Sequence, residues 1–154
     1  MATGTSELPE LHPVLGFKLG TTSAGIKSAD RPDLVVMEIA EGSSVAALFT
    51  KNAFCAAPVT VCKERLARCT PRYLVTNTGN ANAGTGEQGL LDATQTCSAL
   101  ATLAGVEIDT ILPFSTGVIG ELLPIDKLLA GLPDAFEQLS ESGWTDAAQA
   151  ILTT

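Results

Sequence analysis

Histidine occurs once in the 154 residues, at His12, and that scarcity removes more chemistry than any other feature of the chain. A serine–histidine–aspartate triad has no credible base in a lone histidine of a proline-containing leading segment. No G-x-S-x-G elbow is present either. The four cysteines (Cys55, Cys62, Cys69 and Cys97) form no C-x-x-C pair. With a single histidine they leave little from which to assemble a zinc site, so they read as free thiols and the chemistry is expected to need no metal. Basic residues are also few, 9 against 17 acidic, for a formal charge of -8. Such a balance argues against nucleic acid or an anionic membrane as the partner. The start, "MATGTSELPELHPVLG", lacks the basic and apolar regions of a signal peptide, and no apolar run approaches the roughly 20 residues of a membrane span. A cytoplasmic protein with reduced thiols is the expectation. Aromatic residues are only 5% of the chain, so the core must be aliphatic and alanine-rich.

Hydrophobic residues make up 45%, enough for one folded domain. A loosely ordered lead-in over residues 1–13 and a single α/β or α+β domain over 14–154 are expected. "DLVVMEIAEG" (33–42) predicts a strand and a turn, with "SSVAALFTKN" (43–52) as its hairpin partner. "APVTVCKERL" (57–66) predicts a strand running into a short helix that ends near Cys69. "RYLVTN" (72–77) predicts a buried strand, and "GLLDATQTCSALATLAG" (89–105) a helix capped by Gly105. "DTILPF" (109–114) returns as a strand. Three helical patterns follow: "PIDKLLAGL" from Pro124, "PDAFEQLSES", and "TDAAQAILTT" with Thr145 as N-cap.

Three polar stretches interrupt this pattern. "GTGEQG" (84–89) matches G-x-G-x-x-G through Gly84, Gly86 and Gly89, between a strand and a helix, the context of a dinucleotide-binding loop. Against that reading, Glu87 would stand beside a pyrophosphate. Asn77, Asn80 and Asn82 suit either Asx-turns or a polar rim beside a site. Ser115-Thr116-Gly117, in "LPFSTGVIGELLPID", reads alone as a turn in which hydroxyls cap the backbone. It also holds the parts of an oxyanion hole, a hydroxyl and an unshielded glycine N–H aimed at one oxygen. Such a site needs a nucleophile from elsewhere. A threonine at a new N-terminus, its own α-amine acting as base, is one physical route.

"LFTKNAFCAAPV", "LVTNTGNANAGTGEQG", "FSTGVIGELLPI" and the terminal "AAQAILTT", in this order and spacing, resemble the glutamate N-acetyltransferase / ornithine acetyltransferase family of arginine biosynthesis. The resemblance runs from about Gly16 to Thr154. It implies a precursor that cuts itself before a threonine into α and β subunits, this chain being the N-terminal part of α. The β threonine would carry acetyl from N-acetylornithine to glutamate, and some members also accept acetyl-CoA as a substrate; no cofactor is implied. The implied fold is a layered sandwich resembling the N-terminal-nucleophile hydrolases, incomplete without β, in a larger oligomer of αβ units such as a heterotetramer. Mapped onto this chain, the oxyanion-hole pair falls on Thr116 and Gly117. A substrate-contacting threonine falls on Thr153, with Thr154 as the alternative. The chain is expected to be inactive alone, since it stops before the nucleophile. A dinucleotide-binding module and a non-catalytic oligomerisation domain are the competing readings.

Overall fold

The computed structural model describes residues 11–27 and 31–152. Its elements are β1 (Phe17–Thr22), β2 (Leu34–Ile39), α1 (Ala57–Leu66), β3 (Tyr73–Asn80), α2 (Gly86–Ala104), a 3-10 turn (Ile108–Thr110), β4 (Ile111–Val118), α3 (Ile125–Glu137) and α4 (Trp144–Ala150). The strands form one mixed sheet in the order β1-β2-β3-β4. The first three are antiparallel neighbours, whereas β3 and β4 run parallel. A parallel pair cannot be joined by a tight turn, and α2 supplies the crossover.

Strand alternation divides the apolar residues between two faces. Leu34, Val36, Tyr73, Val75 and Ile111 point to one of them, where Cys97 and Leu100 of α2 and Leu128 and Leu132 of α3 complete the main core. The other face carries the register row Leu19–Met37–Leu74–Leu112 and, beside it, Thr21–Val35–Thr76–Phe114. Its cover is partial. Ala147 and Ala150 of α4 pack on Leu19 and Val35, while Phe114 remains 41% exposed. Helix α1 runs beside β4, which is an edge strand. Two β4 carbonyls accept from this helix, that of Ile111 from Arg65 Nη1 at 2.6 Å and that of Pro113 from the Cys62 thiol at 3.2 Å. Pro113, lacking an N–H, is tolerated because no strand lies beyond it.

Several expectations are corrected. Residues 43–52 form no strand, because β2 already has β1 on one side and β3 on the other. The "FKLGTT" strand that takes the place of the expected hairpin partner was not anticipated from the sequence. "APVTVCKERL" is helical throughout, and Pro58 marks its first turn, where a missing N–H costs nothing. The two helices expected on either side of Pro133 are one, since Pro133 sits on the exposed side, where losing one helical bond is least costly. Helix α4 begins after Gly143, not Thr145. Gly105, at φ 66°, closes α2 as expected. Most of the 1–13 lead-in lies outside the described residues; His12 within it is exposed.

Gly20 of β1 fixes how closely α3 approaches the sheet. A methyl group there would meet the Ala135 carbonyl oxygen and stand 2.8 Å from the Leu139 nitrogen. Gly20→Ala is expected to lower the unfolding free energy by about 1–3 kcal/mol, the usual cost of overpacking, as read from the urea midpoint.

Candidate functional site

Ser115, Thr116 and Gly117 are not a turn. They are the last residues but one of β4, paired with Asn77, Thr78 and Gly79. Alternation therefore separates the two hydroxyls. Ser115 faces the closed side and donates to Asn77 Oδ1 at 2.6 Å. Thr116 faces the open side, is exposed, and has no hydrogen-bond partner for its hydroxyl among the described residues. The carbonyls of Ile111 and Pro113 point away from β3, and the same alternation turns the Gly117 N–H outward at the sheet edge. Thr116 and Gly117 thus present two neutral donors side by side at the rim of the open face.

The glycine is required by geometry. Gly117 has φ 139°, and a side chain there would strike the Gly79 carbonyl carbon and come within 2.5 Å of the Asn80 nitrogen. Here β3 bulges between Gly79 and Asn80, bringing the two backbones together.

Three buried asparagines hold this corner. Asn77 Nδ2 donates to the Asn80 carbonyl at 2.9 Å, while its Oδ1 accepts from Ser115. Asn80 Nδ2 donates to the carbonyls of Glu121 and Leu122, at 3.0 and 3.2 Å, and its Oδ1 accepts the Asn82 N–H at 2.8 Å. Asn82, at φ 44°, donates to the Gly89 carbonyl and accepts from Thr85 Oγ1. Position 82 is one where asparagine is better tolerated than most residues. The chain is gripped before Thr116, at Ser115, and after Gly117, at residues 121 and 122. The asparagines act as structural clamps of the loop, the plainer of the two readings of "NTGNANA", and in doing so they set the donor pair.

Of the "GTGEQG" glycines, Gly89 serves the same loop. Any side chain at Gly89 would collide with Thr85 Oγ1 and Asn82 Oδ1. Gly89 therefore faces the asparagine clamp and not a ligand.

Thr116 lines a hollow of about 430 Å³ with Leu74, Phe114, Trp144, Ala147 and Ile151. Its walls are almost wholly apolar. The indole N–H of Trp144 is buried without an acceptor among the described residues. A larger hollow, about 490 Å³, shares Leu74 and Phe114 with it and reaches Cys62 and the 45–50 segment. Burial pushes the Cys62 thiol up to about 11 and the Cys97 thiol up to about 12, with Arg65 opposing both shifts. Both are thiols at neutral pH, not nucleophiles. Among the described residues, no group of three or more histidine, cysteine, aspartate or glutamate side chains is arranged to hold a metal, and no helix is long and apolar enough to cross a membrane. Thr153 and Thr154 lie outside the described residues.

Among solved structures, ornithine acetyltransferase from Mycobacterium tuberculosis, complexed with ornithine, matches with a TM-score of 0.86 and 35% identity over 92% of this chain and 77% of that one. The arginine biosynthesis bifunctional protein ArgJ of Bacillus halodurans matches at 0.84 and 33% identity, covering 91% and 73%. The α+β architecture is accordingly that of the arginine-biosynthetic acetyltransferase structures. The model of the ArgJ family matches residues 18–154, and the chain belongs to that family. The ArgJ protein of Pseudomonas syringae pv. tomato is 59% identical over all 154 residues, and that of Methylococcus capsulatus 59% identical over 144. The chain spans 38% and 35% of their lengths.

Asn80→Ala leaves two carbonyls and one N–H without partners, and is expected to destabilise the chain by about 2 kcal/mol or more in urea unfolding. The thiols give a pH signature. Above the ordinary thiol value of 9.0 the unfolded chain releases protons that the folded chain retains. The unfolded state is favoured increasingly, so stability falls as pH rises from 9 toward 11–12 and is unaffected by these groups near neutrality. In a Cys62→Ala/Cys97→Ala variant the loss of stability between about pH 7 and about pH 10 is expected to shrink.

Proposed function

We propose that this chain is the N-terminal part of the α subunit of an acyltransferase that moves acetyl from N-acetylornithine to glutamate, with Thr116 and Gly117 as its oxyanion hole. The supporting observation is the Thr116 hydroxyl: it stands on the open sheet face without an internal partner, beside Gly117, while Ser115 is engaged by Asn77. The ArgJ family membership supplies the chemistry that such a pair would serve.

The nucleophile in this reading is a threonine at the N-terminus of a β subunit. Its α-amine takes the hydroxyl proton as Oγ adds to the acetyl carbonyl of N-acetylornithine. The carbonyl oxygen becomes negative and is held by the Thr116 hydroxyl, free to turn toward it, and by the Gly117 N–H, fixed by the backbone. The C–N bond then breaks, ornithine leaves with the proton, and an acetyl-threonine ester remains. The glutamate α-amine attacks that ester through a second oxyanion in the same place, yielding N-acetylglutamate and restoring the threonine. Acetyl-CoA would enter as an alternative acetyl donor, not as a bound cofactor. Thr153 would touch substrate, with Thr154 the alternative. The remaining assignments go with this reading: one domain over 14–154, an open sheet face completed by β into a sandwich of the N-terminal-nucleophile type, an oligomer of αβ units, and a cytoplasmic setting.

In the complete αβ enzyme, Thr116→Ala is expected to lower kcat by about 10²–10³-fold with subunit association intact. Ser115→Ala, which removes the neighbouring hydroxyl, should cost stability and far less kcat. A Thr116→Ala enzyme with near-normal kcat would remove Thr116 from the oxyanion hole. The 154-residue chain alone is expected to transfer no acetyl group.

A further inference from the structure

Thr78 of β3 is the register partner of Thr116 on β4 and shares its face of the sheet, but unlike Thr116 it is fully buried. Its N–H is engaged by the Asp33 carbonyl at 2.8 Å, which holds its backbone in place. The hydroxyl reaches out of the sheet instead. It donates to the Ala150 carbonyl at 3.2 Å, across 72 residues of sequence. None of the asparagine contacts extends to α4.

Ala150 is the last residue of α4 and is itself fully buried. Carbonyls in the last turn of a helix lack a donor from their own helix, and burial denies this one water. Among the described residues, its donor is the Thr78 hydroxyl. The seven-residue helix rests on the sheet through small groups: Ala147 and Ala150 present methyls to Leu19 and Val35. Trp144 anchors the opposite end, its ring 6.2 Å from that of Phe17. Methyl contacts carry no direction, whereas a hydrogen bond does. Immediately after Ala150 the chain meets the hollow of Thr116, which Ile151 helps to line.

We propose that Thr78 is a positioning residue for substrate binding: its hydroxyl sets the segment that follows α4, carrying Thr153 and Thr154, in register with Thr116 and Gly117. This rests on the proposed function, in which one of those terminal threonines touches substrate and the Thr116–Gly117 pair holds the oxyanion. The reacting carbonyl and the part of the substrate held by the terminal threonine are then both located from one rung of the β3–β4 ladder. Thr78 is buried and does not line the hollow itself, so its effect passes through Ala150. A segment that holds substrate alike before and during the reaction governs KM, whereas the oxyanion donors govern kcat.

The split between KM and kcat in the complete αβ enzyme tests this. Thr78→Val keeps the branched shape and removes the donor. It is expected to raise KM for N-acetylornithine on the order of 10-fold and to change kcat by less than about threefold. Thr78→Ser restores a hydroxyl, and its KM should return to within about threefold of the parent value. Where Thr78→Val does not assemble, Thr78→Cys takes its place: a thiol is a weak donor, so its KM should exceed that of Thr78→Ser. Whichever of Thr153→Ala and Thr154→Ala raises KM is then combined with the Thr78 change. The two effects should be less than multiplicative, because both act on one contact. An unchanged KM on loss of the hydroxyl, a defect confined to kcat, no recovery in Thr78→Ser, or fully multiplicative effects would each overturn this inference and leave the acetyl-transfer proposal standing. A normal KM in both Thr153→Ala and Thr154→Ala would overturn the substrate contact assigned to those threonines, and this inference with it.

Discussion

The donor pair at the end of β4 depends on amide side chains that never reach it. Asn77 and Asn80 hold the strand on either side of Thr116 and Gly117, and Asn82 holds Asn80's loop against the start of α2. An asparagine amide both donates and accepts, so each can tie two segments at once without bringing charge into the interior. Because the three are buried and linked in series, a displacement at one is transmitted to the next. The glycines of the region follow from this arrangement: Gly89 makes room for Asn82 and Thr85, and Gly117 for the bulge at Gly79.

A second constraint is the asymmetry of the sheet. One face is sealed by α2 and α3 around Leu34, Val36, Val75 and Ile111. The other retains two adjoining apolar hollows, with Phe114 and Leu74 as their shared floor. Thr116 belongs to the unsealed face, and the alternation that puts it there also withdraws Ser115. A single step of register thus decides which hydroxyl is available to a ligand and which serves the fold.

Much of this was legible in the sequence, and the failures have physical causes. Helix α2 and its Gly105 cap were readable from spacing and from the need for a left-handed residue. The cores of β2, β3 and β4 were readable from apolar runs. β1 was not, because "FKLGTT" has no strong alternation and carries a glycine that only α3's approach explains. The 43–52 hairpin failed for the opposite reason: its local propensity is real, but the bonding edge it needed was occupied. Pro58 signalled the start of α1 and was outweighed by the alternation of its neighbours. At the site, the tripeptide alone could not separate a turn from a strand end. The asparagine pattern gave no warning that its amides would bracket Thr116, since those contacts span up to 42 residues of sequence.

The chemistry of the clamp has a consequence for how the site responds to its surroundings. Its side chains are amides and hydroxyls, and the atoms they bind are peptide groups; none of them gains or loses a proton in water near neutrality. The clamp that presents Thr116 and Gly117 therefore keeps its own contacts across that range of acidity. Acidity can reach this corner only through groups outside the clamp, whose uncharged contacts hold the two donors in one geometry.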